Sequence, residues 1–425
     1  MKAFESVIGY ESIKRELMQV VDQIHNKEIY ESLGAKMPRG ILLHGEPGLG
    51  KTLLANCLVE ESGLPVFTLR RTKAGDDFVN EITDTFHRAA QSAPSIVFLD
   101  DMDKFANEDR NHCDAEEYIA VQAAIDDTKA AAVFVVATAN DMRKLPKSLI
   151  RSGRFDRIIE VETPDAEDAR KIVEHYLKNK KLSDDVNMDD LSKMIAYHSC
   201  AELESVLNEA AIQAAFARKP SITMEDITET VLKKQYGLEG NCAEMSEKEM
   251  KQLALHEAGH LVVSEMLVPG SVGVASIRPN RCDLGGFVRR CKSLSNRRQH
   301  TLVSLAGKAA VELYYSETCA NGCEDDINKA VSMIRNGMAM YGTLGFGMID
   351  VTTDTFPEPS ENMNSRVEAV TQAELERYMF KARDMLLKNR EFLEKTADAL
   401  REKKTLLASD IQRIREECTI TEVSL

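Results

Sequence analysis

Between residues 40 and 140, short apolar runs alternate with longer stretches in which apolar positions recur every three or four residues. The runs are "GILLHG", "PVFTL", "SIVFLD" and "AAVFVVATAN". Continuous apolar runs separated by helical periodicity predict strands buried on both faces of a mostly parallel α/β sheet. The pattern changes near residue 165. From "PDAEDARKIVEHYLKNKKL" to Gly237 the period is helical throughout, with Asp and Ser as punctuation, which predicts a small helical domain. "GLEGNCAEMSEKEM" (Gly237–Met250) then breaks the periodicity with two glycines and charged residues, so a boundary is placed there. The remainder is predicted to be mainly helical apart from one extended stretch, "VASIRPNRCDLGGFVRRC". It is expected to end in a charged amphipathic helix, "SRVEAVTQAELERYMFKARDMLLKNREFLEKTADALREK". Domains are therefore expected at 1–165 (α/β), 166–237 (helical lid) and 238–425 (mainly α-helical).

Composition narrows the classes of function. The chain has 425 residues, 43% of them hydrophobic, which is enough for more than one core. Its net charge of −15 argues against long-range attraction to nucleic acid or an anionic membrane surface. Nine scattered cysteines without a CxxC pair, and no apolar signal core in the first 30 residues, point to reduced thiols and a cytoplasmic setting. The longest apolar run, Ala130–Ala139, is well short of the ~20 residues of a membrane helix, so no span is expected.

Two constellations carry chemistry. "GEPGLGKT" matches the phosphate-loop pattern at Gly45, Gly50, Lys51 and Thr52, placed between a strand and a helix. Glycines 45, 48 and 50 let backbone N–H groups wrap phosphates, with Glu46, Pro47 and Leu49 completing the loop. Lys51 neutralises the terminal phosphate and the Thr52 hydroxyl reaches Mg²⁺, so ATP and Mg²⁺ are the expected cofactors. The run "SIVFLDD" ends in Asp100 and Asp101, one to hold Mg²⁺ and the next to orient the attacking water.

The second constellation is "LALHEAGHLVV". His256 and His260 are four apart on one helical face and can present two nitrogens to one metal, with Glu257 as general base. Two buried, hydrogen-bonded histidines would show the same spacing. A zinc site also needs a third ligand, and "CEDDINKA" supplies Asp325 and Asp326 at the head of another helix.

"VVATANDMRKLPKSLIRSGRFDR" resembles the sensor and arginine-finger segments of AAA ATPases. Asn140 matches the sensor, and Arg154 and Arg157 match arginines that enter a neighbouring subunit's nucleotide site. "VIGYESIK" (Val7–Lys14), with Ile8 and Gly9, is similar to that family's adenine-side segment. Taken with "LNEAAIQAA", "MSEKEMKQLALHEAGH" and "LAGKAAVEL", nearly the whole chain resembles the FtsH family of ATP-dependent zinc metalloproteases. The resemblance implies an α/β AAA ATPase with a helical lid, followed by a mainly α-helical zinc metallopeptidase domain. It implies one Zn²⁺ per subunit on His256, His260 and Asp326, with Asp325 as the fallback ligand and Glu257 as the base. It also implies a homo-oligomer, a hexameric ring acting on unfolded or tagged polypeptides. "DLGGFVRRC" (Asp283–Cys291) would be the strand edge that pairs with substrate, although an ordinary hairpin explains the same letters.

Four departures stand out. The family carries membrane helices ahead of the ATPase, whereas this chain begins at the ATPase, so a soluble enzyme is expected, natural or shortened. Asp101 stands where the family has Glu, one methylene short, which predicts slow hydrolysis. Leu49 replaces a threonine in a loop that binds through its backbone. "RRTKAGDDFVN" lacks the aromatic-Val-Gly pore loop, leaving Phe78 either to grip substrate or to sit in the core. Three readings stand beside the protease: a remodelling ATPase or chaperone with a silent metal site, an ATP-independent metallopeptidase on an ATPase scaffold, and a nucleotide-dependent assembly protein.

Overall fold

A computed structural model describes residues 2–71, 76–106, 115–237, 245–278, 285–315, 323–346 and 360–422. The chain divides into two compact units, Met1–Asn179 with Tyr197–Asn208, and Lys180–Ala196 with Glu209–Leu425.

The first unit is built on five parallel strands, β1 (Gly40–His44), β2 (Val66–Leu69), β3 (Ser95–Leu99), β4 (Val133–Ala139) and β5 (Arg157–Glu160), in the order β2-β3-β4-β1-β5. Strand alternation divides β1 between two cores. Ile41 and Leu43 pack with Leu17, Val20 and Val21 of the helix Glu11–His25 and with Leu54 and Leu58 of the helix Lys51–Ser62. Leu42 faces the opposite side, among Ile82 and Phe86 of the helix Asp76–Gln91 and Val121 of the helix Ala115–Asp127. With both faces covered, β3 is buried along its whole length, which is why its sequence reads as an unbroken apolar run. β5 was not among the four runs expected to be strands. "RIIE" is short and half exposed, and it sits at the sheet edge, paired with β1 alone. Phe78 takes the core role: it is fully buried and meets the Phe105 ring edge to face at 5.3 Å. Residues 72–75 of the same segment lie outside those described.

In the second unit the helix Glu247–Leu267 opens with a reciprocal cap between Ser246 and Glu249, and it is buried on nearly every side. Where it meets the helix Arg297–Glu312, Gly259 lets the two backbones close up. A Cβ at that position would stand 2.5 Å from the Ala306 carbonyl and 2.7 Å from the Ala310 side chain. The helix stops before Pro269, and the buried Glu265 carboxylate accepts from the Gly270 and Val272 amides at 2.7 and 2.8 Å, fixing the turn into the next strand. That strand, β6 (Val272–Ser276), lies between β7 (Phe287–Arg290) and β8 (Thr405–Leu407), antiparallel to both. The expected long terminal helix is two helices, Glu361–Lys388 and Arg390–Lys403, followed by β8 and a short helix Ala408–Glu416. Asn389 makes the break: it is buried, its amide donates to the Met385 and Thr421 carbonyls, and its oxygen accepts from the Thr421 amide. Most of the polar segment expected as a boundary, residues 238–244, lies outside those described.

Candidate functional site

The phosphate loop joins β1 to the helix Lys51–Ser62, at the carboxyl ends of strands β3 and β4. Gly45 has φ 147°, and a Cβ there would collide with the Val161 carbonyl, so only glycine fits. Gly50, at φ 84°, precedes the helix and leaves its first N–H groups facing the loop. Glu46 and Pro47 are exposed at the loop's crest, while Leu49 is buried in the core and anchors it. Lys51 spans the loop, donating to the carbonyls of Gly45 at 2.8 Å and Glu46 at 2.6 Å, and burial lowers its pKa.

Asp100, at the end of β3, is buried and accepts from Thr52 Oγ1 at 3.0 Å and Thr138 Oγ1 at 2.9 Å, with the Arg70 guanidinium on its other oxygen. Burial opposes its charge, but hydrogen bonds from Arg70, Thr138 and Thr52 outweigh it and hold the carboxyl below the usual range. Thr52 and Asp100 thus meet as a Mg²⁺ pair must. Asp101 has a left-handed backbone, φ 54°, that turns its carboxylate to Asn140 Nδ2 at 3.1 Å and Lys104 Nζ at 2.6 Å. Beside the phosphate loop, a cleft of about 230 Å³ is bounded by Ile8, Tyr10, Gly48, Tyr176 and Cys200. Gly9 is not among its lining residues; at φ 74° it turns the chain so that the Tyr10 amide meets Asp168. Arg70, Thr138 and Tyr176 were not read from the sequence. Thr138 had a signal, since it is a polar residue near the end of the apolar run of β4, two residues before Asn140.

The two arginines of "GRFDR" differ. Arg154, expected to reach a neighbour, is buried in its own subunit: its guanidinium forms a two-pronged pair with Asp126, at 3.2 and 2.5 Å, and donates to the Ser148 carbonyl. Arg157 is half-buried at the start of β5, and its side chain donates to the Glu16 carbonyl at 3.3 Å. Arg154→Ala should therefore lower the stability of an isolated subunit by roughly 1–3 kcal/mol. Thermal unfolding of dilute monomer reads this; an unchanged midpoint would mean that Arg154 serves only the neighbour.

In the second unit, the helix Glu247–Leu267 presents His256 and His260 on one face, with ring centroids 4.6 Å apart. Their Nε2 atoms are 3.0 Å apart, and Asp326 Oδ2 lies 3.2 Å from the first and 3.0 Å from the second. Asp326 comes from the first turn of the helix Cys323–Tyr341, whose N-terminus favours a negative charge. Asp325 is exposed and does not join the imidazoles. His260 Nδ1 is 2.6 Å from the Val303 carbonyl and must donate to it, so in the neutral ring Nε2 is a lone pair aimed at the cluster. Behind His256, Nδ1 meets the Cys323 thiol at 3.9 Å. Two imidazole nitrogens and a carboxylate oxygen, all within 4.8 Å of one another, make a donor set that fits zinc and leaves a coordination position for water or substrate.

Glu257 is buried in the same cleft, which encloses about 440 Å³, and its pKa is pushed up to about 7 by burial. Gly286, just before β7, lies so close that a Cβ would stand 2.6 Å from Glu257 Cγ. Gly307 closes the back of the site: a Cβ there would be 2.5 Å from His260 Nε2 and 2.6 Å from His256 Cε1. In the sequence, "LAGKAAVEL" gives this glycine no role of its own. Its run of small residues, on a helix that must pass two imidazoles, was the available signal.

A phosphate-loop sheet and an HExxH helix completed by a distant carboxylate define a AAA ATPase joined in one chain to a metallopeptidase. Residues 41–163 match the ATPase family associated with various cellular activities (AAA), and residues 243–414 match peptidase family M41. Among similar proteins, the ATP-dependent zinc metalloprotease FtsH of Leptotrichia buccalis is 33% identical over 440 residues, covering 97% of this chain and 56% of that relative. Those of Caldicellulosiruptor bescii and Thermus thermophilus are 32% and 30% identical, over 97% of this chain and 71% and 70% of their own lengths. The chain belongs to the FtsH family. It spans little more than half of the Leptotrichia protein. No described helix is long and apolar enough to cross a membrane.

Proposed function

We propose that this chain is an ATP-dependent zinc endopeptidase that uses ATP hydrolysis to unfold polypeptides and feed them to the site around His256. The observation that carries this reading is the convergence of His256, His260 and Asp326 beside a buried glutamate. Those three side chains would hold the ion. When bound, zinc supplies a Lewis acid that polarises the scissile carbonyl and lowers the pKa of water. Glu257 takes the proton of the attacking water on its carboxylate and returns it to the leaving amide nitrogen. Val303 fixes the His260 ring through Nδ1, and Gly286, lacking a Cβ, packs its backbone directly against Glu257. β7, an edge strand among those described, offers its open side to substrate.

ATP would sit on the Gly45–Thr52 loop, with Mg²⁺ on Thr52 and Asp100. Asp101 and Asn140 would position the water, and Arg157 would act on a neighbour's nucleotide in a hexameric ring. The functional segments are 1–165 for ATP, 166–237 as the lid and 238–425 for peptide cleavage. The thiols of Cys57, Cys200, Cys291 and Cys418, none in a disulfide, suit a reducing cytoplasm.

The test is degradation of an unfolded protein with and without ATP, repeated with a zinc chelator. Loss of degradation in both the ATP-free and the chelated samples is expected. ATP-stimulated unfolding without cleavage would establish the remodelling ATPase instead. Lys51→Ala should abolish ATP turnover and the degradation of folded proteins, while short unstructured peptides are still cut. Equal loss of both activities, measured by coupled ATPase and fluorogenic-peptide assays, would argue against separable sites.

A further inference from the structure

β7 runs from the peptidase centre outward. Its Phe287 borders the metal cleft and stacks on Tyr236 at 4.1 Å, and Val288 and Arg290 line the cleft with Glu257. A slip in register between Val272 and Val274 lies opposite Arg290 and Arg289 and re-aims the strand at that point. Arg290 is half-buried, and its Nη1 is buried without a hydrogen-bond partner among the described residues. Burial, reinforced by the charge of Arg289, lowers its pKa. A guanidinium nitrogen stripped of water and left without a partner is costly unless something anionic meets it.

Among the described residues, the other charged groups of the cleft do not meet that need. Asp326 is held by both imidazoles and by Lys329 at 3.7 Å, Glu257 lies at the chemistry, and Asp325, at the cleft's edge, is exposed to water. His300, on the helix Arg297–Glu312, lines the same cleft, and burial and Arg290 together lower its pKa, so it adds no competing cation.

We propose that Arg290 is a specificity residue that binds a carboxylate of the substrate polypeptide through its two-pronged guanidinium. The inference deepens the peptidase reading and rests on it. Four residues of strand separate Gly286, at the general base, from Arg290, or about 13 Å. The preferred carboxylate therefore lies roughly four residues from the scissile bond along an extended substrate. It can be an Asp or Glu side chain, or the substrate's own C-terminus.

The experiment uses the full chain carrying Glu257→Gln, loaded with zinc, and fluorescent C-terminally amidated peptides that differ only by Glu, Gln or Lys at one position. A fourth peptide ends there in a free carboxylate. Anisotropy should show the Glu peptide binding roughly tenfold tighter than the Gln peptide, and the Lys peptide weaker still. The free-terminus peptide tells side chain from chain end. Adding Arg290→Gln should erase the preference, Arg290→Glu should turn it towards Lys, and Arg290→Lys should keep part of it, all at unchanged zinc content. Equal binding of the Glu and Gln peptides, a preference that survives Arg290→Gln, or no binding of any peptide would overturn the inference. The peptidase reading fails separately: in that case the ranking holds, but the zinc-loaded wild-type chain cuts none of the peptides.

Discussion

Glu257→Gln is expected to slow peptide cleavage by roughly 10²–10⁴-fold while leaving zinc content and ATP turnover unchanged. The substitution keeps the shape of a buried side chain whose Cγ is confined by the Gly286 backbone, so the cleft should not repack. It removes only the ability to take a proton. Glu257 is not one of the three clustered ligand atoms, so the metal should stay. The phosphate loop belongs to the other compact unit, so nucleotide turnover should be untouched. Metal analysis, a fluorogenic peptide and a phosphate-release assay on the same preparation check all three. Peptide cleavage at the wild-type rate would remove Glu257 from the chemistry.

Gly307→Ala should lower zinc affinity by roughly 10–100-fold and reduce peptidase activity with it. A methyl group at this position cannot be placed without moving both imidazoles, and neither ring has room to yield. His260 is tied through Nδ1 to Val303, and His256 is backed by Cys323. Overpacking should also cost about 1–3 kcal/mol of stability in this unit. Excess zinc should restore part of the activity, since the ligands remain and only their spacing is disturbed. Full zinc occupancy at unchanged affinity would show that the two helices can part without consequence.

The contrast between Gly307 and the phosphate loop shows what was legible. Gly45, Gly50, Lys51 and Thr52 sit in eight consecutive residues, and the loop they form is a local matter of backbone torsions and a helix terminus, readable from spacing. The pairing of His256 with His260 is equally local, one turn of one helix. β5 was missed because a four-residue edge strand carries little pattern of its own. The break at Asn389 was missed because its amide is satisfied by Thr421, 32 residues away.

From sequence alone followed the order of the parts, the alternation that makes a buried parallel sheet, and the residue types suited to phosphate and zinc. These depend on neighbours within a turn or a strand. Which of two adjacent aspartates meets the imidazoles, that Arg154 spends its charge on Asp126 and that Arg290 Nη1 is buried in the cleft without a partner among the described residues were decided by tertiary packing. Each depends on groups distant in sequence that meet only when helices and strands close on one another, and a linear pattern carries no record of those distances.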